Sequence, residues 1–178
     1  MKRQARNFLA TSGLVAVALA VALVPAPATA AGPGSETFNG VLLASGATGS
    51  RVVLTSTVVM RGVFNGVGRI VEVPNLPTDP DNVNRDDLVF ADGTIHFVNT
   101  GLTFSFTIDP RTCIGKVSGT QSIGVLGGTG RFAHATGSFA GVLAAWVIAP
   151  RNVDGTCDVQ SLPLFEVDHV SGTGSLSF

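Results

Sequence analysis

The sequence predicts an all-β protein of antiparallel strands, and three observations carry that expectation. Gly, Val, Thr, Ser and Phe dominate beyond residue 30 while Lys, Glu and Gln are scarce, which favours strands and turns over helices. One segment alternates without a break: Leu102, Phe104, Phe106 and Ile108 share one face, and Thr103, Ser105 and Thr107 share the other. Between the candidate strands there is no helical period of the kind a parallel βαβ crossover needs.

The elements follow in order. Lys2, Arg3 and Arg6 precede an uncharged run over 8–24, and Ala28 and Ala30 form a small-x-small site, so residues 1–30 read as a secretion signal cut after Ala30. The apolar run, about 17 residues, is at the short limit for a spanning helix, and prolines follow it directly. No Cys follows it, so no lipid attachment point is offered. Residues 31–37 read as a flexible leader and 38–178 as a single domain. Candidate strand runs fall at 38–44, 51–60, 63–73, 88–90, 94–99, 102–108, 115–123, 131–148, 162–170 and 172–178, ten runs read as a string of about eight or nine strands. Asp92-Gly93 and Asp154-Gly155 are turn signals, and Asp109-Pro110 ends the alternating strand, because proline cannot continue a ladder. The segment 74–87, rich in Pro, Asp and Asn, reads as a long loop flanking a barrel mouth. Such a string closes into an antiparallel barrel or folds as a sandwich.

Charge and cysteine content narrow the class. Beyond residue 30 remain all twelve acidic residues and eight of the eleven Lys and Arg, a formal charge of −4. Nucleic-acid binding needs a basic footprint, and none is visible, so no nucleic-acid partner is expected. Cys113 and Cys157 are the two cysteines. In an exported chain they are expected to pair, closing a loop of about 44 residues that contributes roughly 3–4 kcal/mol in the chain-entropy model. The expected location is extracellular, with no membrane anchor after signal cleavage.

The sharpest local motif is Gly127-Gly128-Thr129-Gly130-Arg131-Phe132-Ala133. Gly128, Gly130 and Ala133 match a dinucleotide fingerprint, but that mechanism needs a helix opening at the glycines. The continuation Ser138-Phe139-Ala140-Gly141-Val142 is glycine-broken strand, so a tight turn between strands is expected instead. With Ala135-Thr136-Gly137 after it, this stretch resembles the late motif of dirigent proteins and the related turn of allene oxide cyclases. The surrounding Phe90-Ala91-Asp92-Gly93-Thr94 and Asp109-Pro110-Arg111-Thr112-Cys113 are similar to those of small secreted bacterial proteins of this barrel type. The resemblance implies an eight-stranded antiparallel β-barrel over 38–178 with an apolar central cavity. It transfers no catalytic site, because none of those families' functional positions match residue by residue.

Candidate chemistry is sparse. His96, His134 and His169 lie at no metal-ligand spacing, so no metal and no cofactor are expected. Asp168 and His169 are adjacent on a strand and should face opposite ways. No Gly-x-Ser-x-Gly nucleophile motif occurs, and no catalytic residue is assigned. Glu166 and Asp168 share a face with Leu162, Leu164 and Val170; the favoured reading is a solvated outer face with Phe165 and Val167 inward. Were that acidic face inward, the two carboxyls would crowd and one pKa would rise. Phe104, Phe106 and Trp146 are the expected cavity lining, with His134 near a barrel end, although simple core packing explains the aromatics equally. The leading expectation is binding of a small hydrophobic molecule inside the barrel. The alternatives are a cyclase or isomerase acting by confinement, with His134, Arg131 or Glu166 in an inward polar cluster, and a structural or adhesive extracellular protein.

Overall fold

In the computed structural model, which describes residues 33–178, eight strands close into an antiparallel barrel in chain order. They are β1 Gly34–Ser45, β2 Val52–Gly62, β3 Gly66–Val73, β4 Asn84–Phe90, β5 Gly93–Asp109, β6 Ile114–Gly128, β7 Thr136–Ile148 and β8 Phe165–Ser177. Each strand pairs with its sequence neighbours, and β8 closes on β1 from Gly34↔Leu176 to Ala44↔Glu166. The all-β, eight-stranded expectation therefore holds. The expected signal segment, residues 1–30, lies outside the described residues.

Several boundaries move, each for a physical reason. β1 begins at Gly34, inside the expected leader, because Glu36 pairs with Gly62 on one side and Gly174 on the other. The runs 94–99 and 102–108 are one strand, jogged by a register shift where Gly101 takes φ 62°. The runs 162–170 and 172–178 also join, since Ser171 and Gly172 stay in the ladder to β7. The loop after β3 ends at residue 83, so Asn84–Asp87 belong to β4. β7 starts only at Thr136, after a single 3-10 turn over Gly130–Phe132.

That turn consumes the amides of the glycine motif. Thr129 N–H donates to Thr94 O at 2.9 Å, Arg131 N–H to Asp92 O at 3.0 Å and Phe132 N–H to Thr129 O at 3.0 Å. The motif is a barrel corner whose donors are spent on the β4–β5 hairpin and within the turn itself. A Cβ at Gly128 would stand 1.9 Å from Thr94 O, so only glycine permits the approach.

The barrel is plugged at this end. Phe64, Phe90, Phe132 and Phe178 meet edge to face or tilted at centroid distances of 4.9–6.3 Å, and the Arg131 guanidinium lies over Phe64 and Phe178. A second layer, Phe38, Phe97 and Phe139, stacks across the middle. Gly172 makes room for it: a Cβ there would meet the Phe38 ring at 2.3 Å.

Candidate functional site

Above the second phenylalanine layer the barrel is open. A cavity of about 480 Å³ is floored by Phe38, Phe97, Ile70, Leu88 and Ile123 and rimmed by Arg51, Glu72, Asp86, Asn99 and Asp168. Strand alternation brings the rim together. On β8, Glu166, Asp168 and Val170 share the phase of buried Leu176; they pair with Ala44, Leu42 and Gly40 of β1 and with Val147, Ala145 and Leu143 of β7. Ala44 and Ala145 are small and buried, which leaves space for carboxylates between the strands.

The favoured reading of β8 is thus reversed: Glu166 is only 8 % exposed and faces the interior. The reason is Arg51, at the entrance to β2. Its Nε donates to Glu166 Oε1, its Nη1 to Glu72 Oε1 and its Nη2 to Asp168 Oδ2, the last at 2.9 Å. A planar guanidinium can serve several carboxylates at once. Burial works against its charge, but Glu166 and Glu72 outweigh that and raise its pKa.

Arg51 does not neutralise the three carboxylates it meets, and Arg85, the other cation that lines the cavity, is committed to Asp79. Asp168 is pushed up to about 6, first by burial and then by the neighbouring Glu166 charge, so the crowding expected of an inward acidic face is present. Asp86 also rises to about 6, mainly through burial, although Asn99 Nδ2 donates to its Oδ2 at 2.6 Å. The rim can accept hydrogen bonds and exchange protons near pH 6 at the edge of an apolar well.

The mouth is braced at its edge, where Arg85 itself lines the cavity. Asp79 takes a two-point contact from Arg85 (2.6 and 2.8 Å) and one from the Leu76 N–H, which holds its carboxyl down at about 2 and pins the loop after β3. Cys113 and Cys157 form the expected disulfide, Cα–Cα 5.4 Å, tying the β5–β6 turn to the segment between β7 and β8. Such a bond is consistent with an extracellular protein. Among the described residues no helix is long and apolar enough to cross a membrane.

The expected lining residues are elsewhere. Phe104 and Phe106 keep the inward phase of Leu102 but lie past Asn99, where β4 has ended, and are 68 % and 40 % exposed. Trp146, 47 % exposed, points outward because Ala145 and Val147 occupy the inner phase. His134 is exposed beside the plugged end, away from the cavity. His169 is exposed, opposite in direction to Asp168 as expected, and His96 Nδ1 contacts Asp87 Oδ1 at 2.6 Å. Sequence reasoning missed Arg51, Asp86 and Asn99 as a group. The available signal was the i, i+2 phase joining Glu166 and Asp168 to Val170 and Gly172, a set with too little bulk to be a packed outer ridge.

The fold and site define a class: an up-and-down β-barrel, half packed and half open, with an ionisable rim. Comparison of the chain with protein-family models, curated proteins and solved structures gave no match.

Proposed function

We propose that this is an exported protein that binds a small, mostly apolar molecule in the open half of its barrel, with a hydroxyl or amine end of the ligand against the carboxylate rim. The carrying observation is the cavity itself, an apolar floor beneath a few convergent polar groups. Burying about 200 Å² of apolar ligand surface would supply roughly 5 kcal/mol before association costs. The disulfide and the signal-like N-terminus support export, and the resemblance to dirigent and allene oxide cyclase barrels supports an interior site. The test is titration with a neutral naphthylamine fluorophore. Saturable binding that is lost in Val170→Phe, which fills the well, supports the reading; no saturation, or binding indifferent to that change, sinks it.

A second reading has its own observation. Asp86 and Asp168 both titrate near 6, where a carboxyl serves as acid or base at ordinary pH. Under this reading the barrel is an isomerase or cyclase that confines its substrate. It requires turnover that follows a group titrating near pH 6 and that disappears in Asp86→Asn.

A further inference from the structure

The second half of β5 has a neighbour on one side only. Its pairing with β4 ends at Asn84↔Asn99, whereas its pairing with β6 continues from Thr103↔Thr120 to Asp109↔Ile114. The β5–β6 ribbon therefore runs on beyond the shorter strands, and among the described residues no strand pairs with the other edge of residues 103–109. Thr103, Phe104, Ser105, Phe106 and Thr107 are all exposed, on both faces of the strand. An added Cβ at Gly101 would meet nothing within 4 Å, so the edge is open where it begins.

This edge lacks the usual protection. Exposed edges are commonly blunted by charge, proline or a bulge within the strand. From Leu102 to Ile108 there is no charged residue and no proline, and the register shift precedes Thr103. On the inner side of the ribbon Phe104 is 68 % exposed, a large apolar side chain on an edge that no strand among the described residues pairs with. On the outer side the hydroxyls are already spent across to β6, Thr103 to Thr120 at 3.0 Å and Ser105 to Ser118 at 2.9 Å.

The sequence of the edge identifies its occupant. Thr103-Phe104-Ser105-Phe106-Thr107 reads alike in both directions about Ser105, with the apolar Leu102 and Ile108 at its two ends. An antiparallel pairing of this strand with itself places Thr103 opposite Thr107, Phe104 opposite Phe106 and Ser105 opposite Ser105. A two-fold axis through Ser105 makes these contacts reciprocal, and within 103–107 each of them is then a like pair, Thr with Thr and Phe with Phe, of the kind that stabilises adjacent strands. We infer that the 103–107 edge of β5 is a homodimer interface, in which two copies of this chain pair antiparallel about Ser105 and form one sheet continuous between two barrels. The inference is independent of what the cavity binds.

Sedimentation of the full chain with its disulfide intact tests it. A concentration-dependent dimer is expected, and Phe104→Lys should weaken it by about tenfold or more, because the charge meets an apolar partner in a paired edge. Ser105→Cys should cross-link into a covalent dimer about tenfold or more faster than the exposed control Val67→Cys, since pairing makes the reaction effectively intramolecular. A wild-type chain that stays monomeric, a dimer indifferent to Phe104→Lys, open-ended aggregates, or equal cross-linking rates would each overturn the proposal. Circular dichroism checks the Lys variant for folding, and if it fails to fold the cross-linking rates decide alone.

Discussion

Arg51 Nη2 and Asp168 Oδ2 meet at 2.9 Å across the barrel mouth, although 117 residues separate them in the chain. The contact joins the first residue before β2 to β8, two strands that are not neighbours, and Glu72 on β3 shares the same guanidinium. Next to it the β2–β3 ladder is short, covering only Val58–Met60, and Ser56 Oγ donates to Ile70 O at 2.6 Å and accepts from Ile70 N–H at 3.1 Å where further main-chain pairing would be. Arg51 therefore closes a weak seam as well as charging the rim. Arg51→Met should cost about 1–3 kcal/mol at pH 7, below the range for fully buried pairs because the side chain is partly exposed. Urea unfolding at pH 7 and pH 5 checks this. The loss should shrink at pH 5, where protonated carboxyls no longer repel; an equal or larger loss there would count against the account.

The two raised carboxyls set a pH dependence with a definite sign. Asp86 and Asp168 titrate at about 6 in the folded chain against an ordinary 3.8, so the folded state holds more protons between those values. Stability is then highest toward the acid side of the window and falls as pH rises through 6, by on the order of 2–3 kcal/mol for each carboxyl. Asp79, held at about 2, works the other way and withdraws its stabilisation as pH falls below its ordinary value. On these three groups the maximum should therefore lie just below pH 4. Asp86→Asn should raise stability at pH 7 and flatten the decline between pH 4 and 7, read from denaturant midpoints at a series of pH values. A steeper profile in the variant contradicts the assignment.

The architecture was legible in the sequence because local signals and global topology agree. The alternation of 102–108, the Asp92-Gly93 turn and the glycine corner each specify a strand or a bend that the closed barrel uses. Inward and outward faces were harder to read. Phe104 and Phe106 alternate as a buried strand should, but burial depends on where β4 stops, and nothing within 102–108 records the length of a neighbouring strand. Glu166 and Asp168 look like a wet face until Arg51 is brought to them from a distant turn. Glu36 sits among Gly34, Ser35 and Thr37 and reads as polar leader, because the buried Phe64 amide it serves is 28 residues away. Contacts of that range leave no periodicity behind.

The disulfide links two segments that strand pairing alone holds loosely. Cys113 is 1 % exposed and follows the β5 end, while Cys157 lies in the segment between β7 and β8, 44 residues on. Cys157→Ala with Cys113→Ala should lower unfolding free energy by roughly 3–4 kcal/mol, the loop-closure value for this separation. Calorimetry of the variant beside wild type with and without reductant reads it. The reduced wild type should match the variant; a reduced protein as stable as the oxidised one would remove the argument.

Glu36 presents the opposite case to the rim, an acid enclosed at the plugged end. It is 1 % exposed; Oε2 accepts the Phe64 N–H at 2.8 Å, and Oε1 has no hydrogen-bond partner among the described residues. Burial raises its pKa, opposed by the Phe64 amide and, more weakly, by the backbone of Thr37, Arg61 and Val63. A charged oxygen without a donor is costly in the interior, whereas a neutral amide keeps the carbonyl acceptor that Phe64 needs. Glu36→Gln should therefore stabilise the fold by about 1 kcal/mol at pH 7, and the gain should shrink as pH falls and the wild-type carboxyl takes up its proton. Glu36→Ala should instead cost about 1–3 kcal/mol at any pH, because it strands a buried amide beneath the ring that anchors the plug. Denaturant unfolding of both variants at pH 7 and pH 4 separates these outcomes. A Gln variant less stable than wild type at pH 7 would mean that the charge itself holds Phe64 in place, and Glu36 would then differ from Asp86 and Asp168, whose ionisation costs the barrel stability.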